Sequence, residues 1–245
     1  MPLHRHVLAE AAQASLPPNR LLEGMPPAEH ARLTPLLDVV ALRPGTALCE
    51  AGTPLRFVWF PHDAVASTIV DLPEGNAIDV GLLGHEAFAG IDAVYGGVRS
   101  VTTVVVLAAG HASRMHADDF RREVVARNGE AYAVCLRFAA AYQREMAHMA
   151  ACNARHNVVQ RLARLLLMID DRRSGGVIEV THDRLAVMLA TRRASVTDAA
   201  HVLRAAGALE YRRGDIAIRD RAALLAAACG CYAVLSRLAA RAEAR

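Results

Sequence analysis

The chain has 245 residues, 53% of them hydrophobic and 22% charged, with a formal net charge of +3. That length accommodates two domains or one large one, each able to bury a core. No uninterrupted apolar run approaches the ~18–20 residues that span a bilayer, and the opening MPLHRHVLAEAAQASLPPNR has no apolar core followed by a cleavage site, so neither a membrane span nor a secretory signal is expected.

Asn19–Gly24 reads as a short helical turn. A second short helix follows from Pro26, with proline in the first turn, where its missing N–H costs nothing, and ends near Leu37. From Asp38 the period changes. The runs VVALR, ALCEA, RFVWFP, AVASTIVDL, AIDVGLL, SVTTVVVLAAG and HASRMHA alternate with Gly- and Pro-containing turns. Short strands at that spacing predict an antiparallel sandwich or barrel over residues 38–116.

Asp118–Arg127 reads as a helix, acidic early and basic late as the helix dipole prefers. A long helix follows from Glu130 to about Cys152. On it Ala131, Cys135, Phe138, Tyr142, Met146 and Met149 recur at steps of three and four. Such a stripe either packs on the strands or zips to a second copy of the chain. The polar residues on the other faces favour self-association, which makes these six the expected dimer seam.

The next helix, from about Arg155 to Asp171, turns Val158, Leu162, Leu165, Leu166 and Ile169 inward and leaves Arg161 and Arg164 to solvent or phosphate. It opens a basic half: residues 153–245 hold 16 arginines against 9 acidic residues, whereas residues 1–152 hold 12 against 16. After the short strand VIEV comes THDRLAVMLATRRASVTDAAHVLRAAG, residues 181–207. Leu185 and Leu189 lie on one face of a first helix. Val196, Ala199, Ala200 and Leu203 form the apolar stripe of a second, and small Ala186 and Ala190 permit a close crossing. This is the pattern of a helix-turn-helix, whose second helix enters the major groove; an ordinary helical hairpin has the same apolar pattern. The candidate DNA contacts are Thr181, Arg192, Arg193, Ser195, Thr197 and Asp198. ALEYRRGDIAIRD then reads as a two-stranded wing whose turn arginines, Arg212 and Arg213, either reach the phosphate backbone or are solvated. The tail over 220–243 is expected to be a helix that packs back on the protein.

With strands, a long helix, a helix-turn-helix and a wing in this order, the chain resembles the Crp/Fnr superfamily of bacterial transcription regulators. The strongest part is LAVMLATRRASVTDAAHVLRAAGALEYRRGDIAI, and ACNARHNVVQRLARLLLMIDD ahead of it is similar to an atypical branch. The resemblance implies an α+β chain: an N-terminal antiparallel β-roll like those that bind cyclic nucleotides, a long dimerisation helix and a C-terminal winged helix. The corresponding domains are residues 19–127, 128–152 and 153–245. It also implies a homodimer on a pseudo-palindromic operator, with half-sites about one DNA turn, ~34 Å, apart. Arg193-Ala194-Ser195-Val196 stands where the family's recognition helix begins, and Arg193 matches the arginine that pairs with a guanine edge. Ala194 replaces the glutamate of the nucleotide-responsive members, and Asp198 stands where they usually carry a second arginine, so a different operator is expected.

The family's nucleotide cassette has Gly-Glu for the ribose and, further on, Arg-Ser or Arg-Thr for the cyclic phosphate. Gly84 and Arg99-Ser100 fit that frame, but Phe88-Ala89 occupy the place of Gly-Glu, and Glu86 is an acid at the wrong spacing. These four, Gly84, Glu86, Arg99 and Ser100, are the candidate effector contacts. Cyclic AMP is not the expected effector, because an unpaired buried hydroxyl costs ~1–3 kcal/mol.

Five cysteines, an odd number at irregular spacing, suit reduced thiols and a cytoplasmic location. Only Cys49 lies ahead of Cys135, so the amino-terminal cysteine cluster of the family's iron–sulfur sensors is missing. Cys229-x-Cys231 is too tight for the usual zinc pair and falls in a predicted helix. His148 and Cys152 share a helix face but read as packing. No metal, no cofactor and no enzymatic activity are expected. The expected partners are double-stranded DNA, a second copy of the chain, RNA polymerase and a small-molecule effector, with no membrane. The competing reading is a ligand- or protein-binding module whose winged helix makes protein contacts.

Overall fold

The computed structural model describes residues 16–73, 77–173, 175–212 and 214–243. The chain enters through α1 (Arg20–Glu23), capped by Asn19, whose side chain accepts from the Leu22 N–H. The buried Asn19 amide also donates to the carbonyls of Pro61 (2.7 Å) and Ala87 (2.9 Å), which anchors the entry on the strands. Helix α2 (Pro27–Leu33) starts on its proline and tightens into a 3₁₀ turn, Thr34–Leu36.

Seven strands follow: β1 (Asp38–Leu42), β2 (Ala47–Cys49), β3 (Phe57–Pro61), β4 (Val65–Asp71), β5 (Ala77–Leu83), β6 (Thr103–Ala108) and β7 (Gly110–His116). They form two antiparallel sheets, ordered β1-β7-β3 and β2-β6-β4-β5. A 3₁₀ turn, Ile91–Tyr95, lies between β5 and β6. The core holds Phe60, Phe88 and Phe120, all fully buried, with ring centroids 5.9–6.5 Å apart. Phe138 joins them at 5.0 Å from Phe88.

Phe138 belongs to the long helix. After α3 (Ala117–Phe120) and a π-helical turn, Arg121–Val125, helix α4 runs from Glu130 to Arg155. Its expected dimer stripe faces the chain's own core. Ala131, Cys135, Phe138 and Tyr142 are buried in that core with Met146 packed against it, and Met149 is buried in the apolar cluster shared with the C-terminal half. Here the packing alternative wins, because aromatic and sulfur side chains fill the space beside the sheets. Tyr142 Oη bonds Thr68 Oγ1 at 2.5 Å, and Gly81 permits that approach: a Cβ there would lie 2.5 Å from the phenol oxygen.

Helix α4 breaks at His156. Asn157 opens α5 (Val158–Asp171) with a capping box closed by Gln160. Then come β8 (Ile178–Glu179), α6 (His182–Met188), α7 (Arg193–Ala205), β9 (Leu209–Arg212) and β10 (Asp215–Ile218), with the small sheet ordered β8-β10-β9. The tail is two helices rather than the one expected: α8 (Arg221–Ala227), capped by Asp220, and α9 (Cys231–Glu243). They meet at 113° across Ala228–Gly230. Among the described residues no single helix is long and apolar enough to cross a membrane.

Arg161 and Arg164, expected at the surface, are buried. Arg161 donates to the carbonyls of Asn153 (3.1 Å) and Leu189 (2.8 Å), tying α5 to α4 and to the α6–α7 turn. The C-terminal half is packed on the strands through one shared apolar cluster, in which Val65, Leu82 and Leu107 meet Leu162, Leu166 and Leu185.

Arg172, just past the end of α5, is the charged centre of this junction. It donates to Glu86 Oε1 at 2.7 Å and lies 3.5 Å from Glu145 Oε1, with all three side chains almost wholly buried. It also donates to the Met168 carbonyl. Removing one member of a buried ion cluster leaves uncompensated charge, typically at a cost of ~3–5 kcal/mol. Arg172→Ala is therefore expected to destabilise the chain by that order in urea titrations, and Arg172→Lys, which cannot fork to two acids, by a smaller amount.

Candidate DNA-reading face and ligand cavity

Helix α6 is capped by Thr181, whose hydroxyl accepts from the Arg184 N–H at 3.2 Å. Leu185, Met188 and Leu189 bury its inner face against Val196, Ala199, Ala200 and Leu203 of α7. The turn between the helices needs a left-handed residue. Ala190 supplies it at φ +46°, where an L-residue with a Cβ carries strain of about 1–2 kcal/mol. That strain is held by Arg161, which donates to the neighbouring Leu189 carbonyl.

The candidate contacts divide into three groups. Arg192, Arg193 and Asp198 are exposed, and Arg193 makes only a loose pair with Asp183 at 3.6 Å, both side chains about 70% exposed (69% and 72%). Thr181 is exposed but its hydroxyl caps α6. Thr197 is turned inward: its hydroxyl donates to the Arg193 carbonyl and lies 2.9 Å from His182 Nδ1. Burial, with Arg193 nearby, lowers the His182 pKa and favours its neutral form. Ser195 is half-buried and, with Arg192, borders a cleft closed on the other side by Leu72, Ala77 and Ile78 of the β4–β5 hairpin. Arg213 and the Arg212 side chain lie outside the described residues. His201 and Val202 were not anticipated. Both are exposed one turn beyond Asp198, and Val202 is 54% exposed. Their signal in the sequence was only their phase, one turn after Ala194 and Asp198 on the face opposite the apolar stripe.

The sensor half holds a cavity of about 440 Å³. Its apolar wall includes Leu83, Phe88, Ile91, Val104 and Met146, and its polar groups are Thr68, Asp92, Ser100, Thr102, Tyr142 and Gln143. Of the four expected effector contacts only Ser100 lines it, and that hydroxyl donates to Thr102 O at 2.7 Å, with Asp92 Oδ2 at 3.2 Å. Arg99 is exposed and donates to the Gly52 carbonyl instead. Glu86 is held by Arg172, and Gly84 packs against the Arg172 stem, where a Cβ would come within 2.7 Å. No arginine lines the cavity among the described residues, whereas a carboxylate does; that electrostatic lining opposes a cyclic phosphate.

A second buried polar cluster joins sensor and reader. Asp79 on β5 accepts from Ser67 Oγ and from the Gly81 N–H (2.9 Å), and Arg184 of α6 reaches Ser67 Oγ at 3.3 Å. Burial pushes the Asp79 carboxyl up from 3.8 to about 7, against the pull of Ser67 and Arg184. Burial likewise raises Glu145 from 4.5 to about 7, opposed by Arg172. A carboxyl raised in the folded state contributes stability that is present below its unfolded pKa and lost as pH rises through the folded one. Stability is thus expected to fall from about pH 4 to about pH 7 and level off above, and Asp79→Asn should make that slope shallower in urea midpoints taken across the range.

Residues 160–227 match the Crp-like helix-turn-helix domain. No curated protein matches the chain at a significant level. Among solved structures, FixK2 from Bradyrhizobium japonicum superposes with TM-score 0.66 at 14% identity, covering 79% of this chain and 98% of its own. TTHB099, a CRP-family transcriptional regulator from Thermus thermophilus, gives 0.63 at 20% identity over 78% and 96%. The c-di-GMP-responsive global regulator CLP of Xanthomonas campestris gives 0.59 at 15% identity over 79% and 99%. Residues 160–227 thus carry a Crp-like helix-turn-helix domain, and over most of its length the chain has the fold of these Crp/Fnr-type regulators.

Proposed function

We propose that the chain acts as a cytoplasmic homodimer that reads a two-fold operator through the N-terminal turn of α7. The observation that carries this reading is the exposure of Arg192, at the N-cap, and of Arg193 and Asp198 on a helix whose opposite face is buried. Arg193 can pair with a guanine edge, Asp198 can accept from a cytosine amino group, and Val202 can meet a thymine methyl. Arg192 and Ser195 face the sensor hairpin across the cleft, so their use on DNA requires that cleft to widen. RNA polymerase is the proposed downstream partner.

The dimer seam is reassigned to the other side of α4. Leu136, Ala140, Gln143, Ala147, Ala150 and Ala154 are exposed and recur at alternating steps of four and three. That is the repeat of a coiled-coil seam, and its small side chains allow close approach. Gln143 also lines the sensor cavity, so a ligand there lies next to the seam. The lining fits an uncharged, largely apolar small molecule with a few hydrogen-bonding groups.

Selection of bound DNA from a random pool, with and without metabolite extract, tests the reading, and retention of no sequence at low salt would overturn it. Affinity is expected to fall steeply with salt through counterion release. Arg193→Ala should lower affinity for the selected site by ~1–3 kcal/mol and relax one base position, while leaving random DNA almost unaffected. Equal loss on both would remove Arg193 from base reading. Ala147→Glu places like charges in the seam and should shift the sedimentation equilibrium toward monomer.

A further inference from the structure

The break between α4 and α5 lies directly beside the break between α8 and α9. At the first, Cys152 lies in the last turn of α4, and the backbone N–H of His156 donates to its carbonyl at 3.0 Å. At the second, Cys229 sits in the link and Cys231 opens α9. The sequence separates these pairs by more than seventy residues, and the fold brings them together. Cys152 Sγ is 3.6 Å from Cys229 Sγ, and Cys231 Sγ is 3.6 Å from His156 Nδ1. All four donor atoms lie within 4.8 Å of one another.

We propose that Cys152, His156, Cys229 and Cys231 form a tetrahedral metal site, with Zn²⁺ as the fitting ion. A zinc–sulfur distance of ~2.3 Å gives a tetrahedron with edges of about 3.8 Å, so the two 3.6 Å separations are already of that size and the rest need only a small contraction. Three thiolates with one imidazole is a common structural zinc set and leaves no position open for substrate. Cys152 and Cys229 are buried, while His156 and Cys231 are partly exposed, which provides an entry path.

The surroundings supply an independent argument. Arg164 is fully buried, yet its Nη1 donates only to the thioether sulfurs of Met149 and Met168, and its Nε and Nη2 have no hydrogen-bond partner among the described residues. It is close enough to act electrostatically on Cys152 and Cys231, and Arg161 on Cys152 and Cys229. A zinc ion with three thiolates and a neutral imidazole carries one net negative charge. Such a centre offsets two buried guanidiniums that hydrogen bonds to carbonyls and thioethers leave uncompensated. The expectation from sequence that Cys229-x-Cys231 is plain helix packing fails on geometry: the pair flanks a helix break, and its partners come from α4. It is His156, at the break that follows α4, and not His148 within the helix, that joins Cys152. Because the site ties the C-terminal helices to the α4–α5 joint, the ion would fix the angle between sensor and reader.

The test uses the full chain, purified anaerobically with reductant. Elemental analysis should find about one zinc per chain, removable by a chelator. Reconstitution with Co²⁺ should produce thiolate-to-cobalt charge transfer and the intense visible bands of a tetrahedral site. Alkylation should spare Cys152, Cys229 and Cys231 in the zinc form and reach Cys231 after chelation. Cys231→Ser and His156→Gln, both at the accessible side, should lose the stoichiometric ion, whereas Cys49→Ser in the β-roll keeps it. Failure of the unaltered chain to take up either Zn²⁺ or Co²⁺, or full metal retention by Cys231→Ser and His156→Gln, would overturn the assignment. A Cys152–Cys229 disulfide as the resting state under reductant would do so as well.

Discussion

Arg172, hydrogen-bonded to Glu86 and ion-paired with Glu145, holds the described molecule in one arrangement. The three side chains come from the loop after β5, from the long helix and from the residue just past α5. Desolvating three charges is costly, and mutual attraction repays that cost only when the geometry is kept. An apolar contact could slide by an ångström at little cost; this cluster cannot. It therefore sets register between three elements that are otherwise joined by non-directional packing.

The same junction explains why sensor and reader are not two independent bodies here. The apolar cluster of the reader includes strand residues of the sensor, and Asp79, Ser67 and Arg184 add a second polar tie. Two carboxyls in this interface titrate near neutrality because burial opposes their charge. The reader's first helix is pinned while the leading turn of its second faces partly outward and partly into a cleft.

Much of the molecule was legible in the order of its residues. Strand alternation over 38–116, the long helix, the two stripes of the helix-turn-helix and the wing all follow from local periodicity and turn chemistry. The candidate site was legible only in part. Exposure of Arg193 and Asp198 follows from their phase on α7, and that of Arg192 from its place at the helix N-cap. The inward turn of Thr197 depends on His182, fifteen positions away. Of the effector candidates only Ser100 lines the cavity, and a spacing match cannot show that Glu86 meets an arginine eighty-six residues later. Arg161 and Arg164 illustrate the same point, since arginine on a helix reads as surface unless something long-range buries it.

The sequence alone determined most of the elements, the single tail helix excepted, and which face of each is apolar, because helix and strand periods act over a few residues. It could not determine what those faces would cover. The stripe on α4 reads in sequence as a packing surface open to the strands or to a second chain; the tertiary structure gives it to the chain's own core and leaves the face from Leu136 to Ala154 exposed. Likewise the tight Cys229-x-Cys231 pair had no meaning until the fold set it against Cys152 and His156. Ligand sets, buried ion clusters and interfaces join residues tens of positions apart, and only chain topology decides which of them meet.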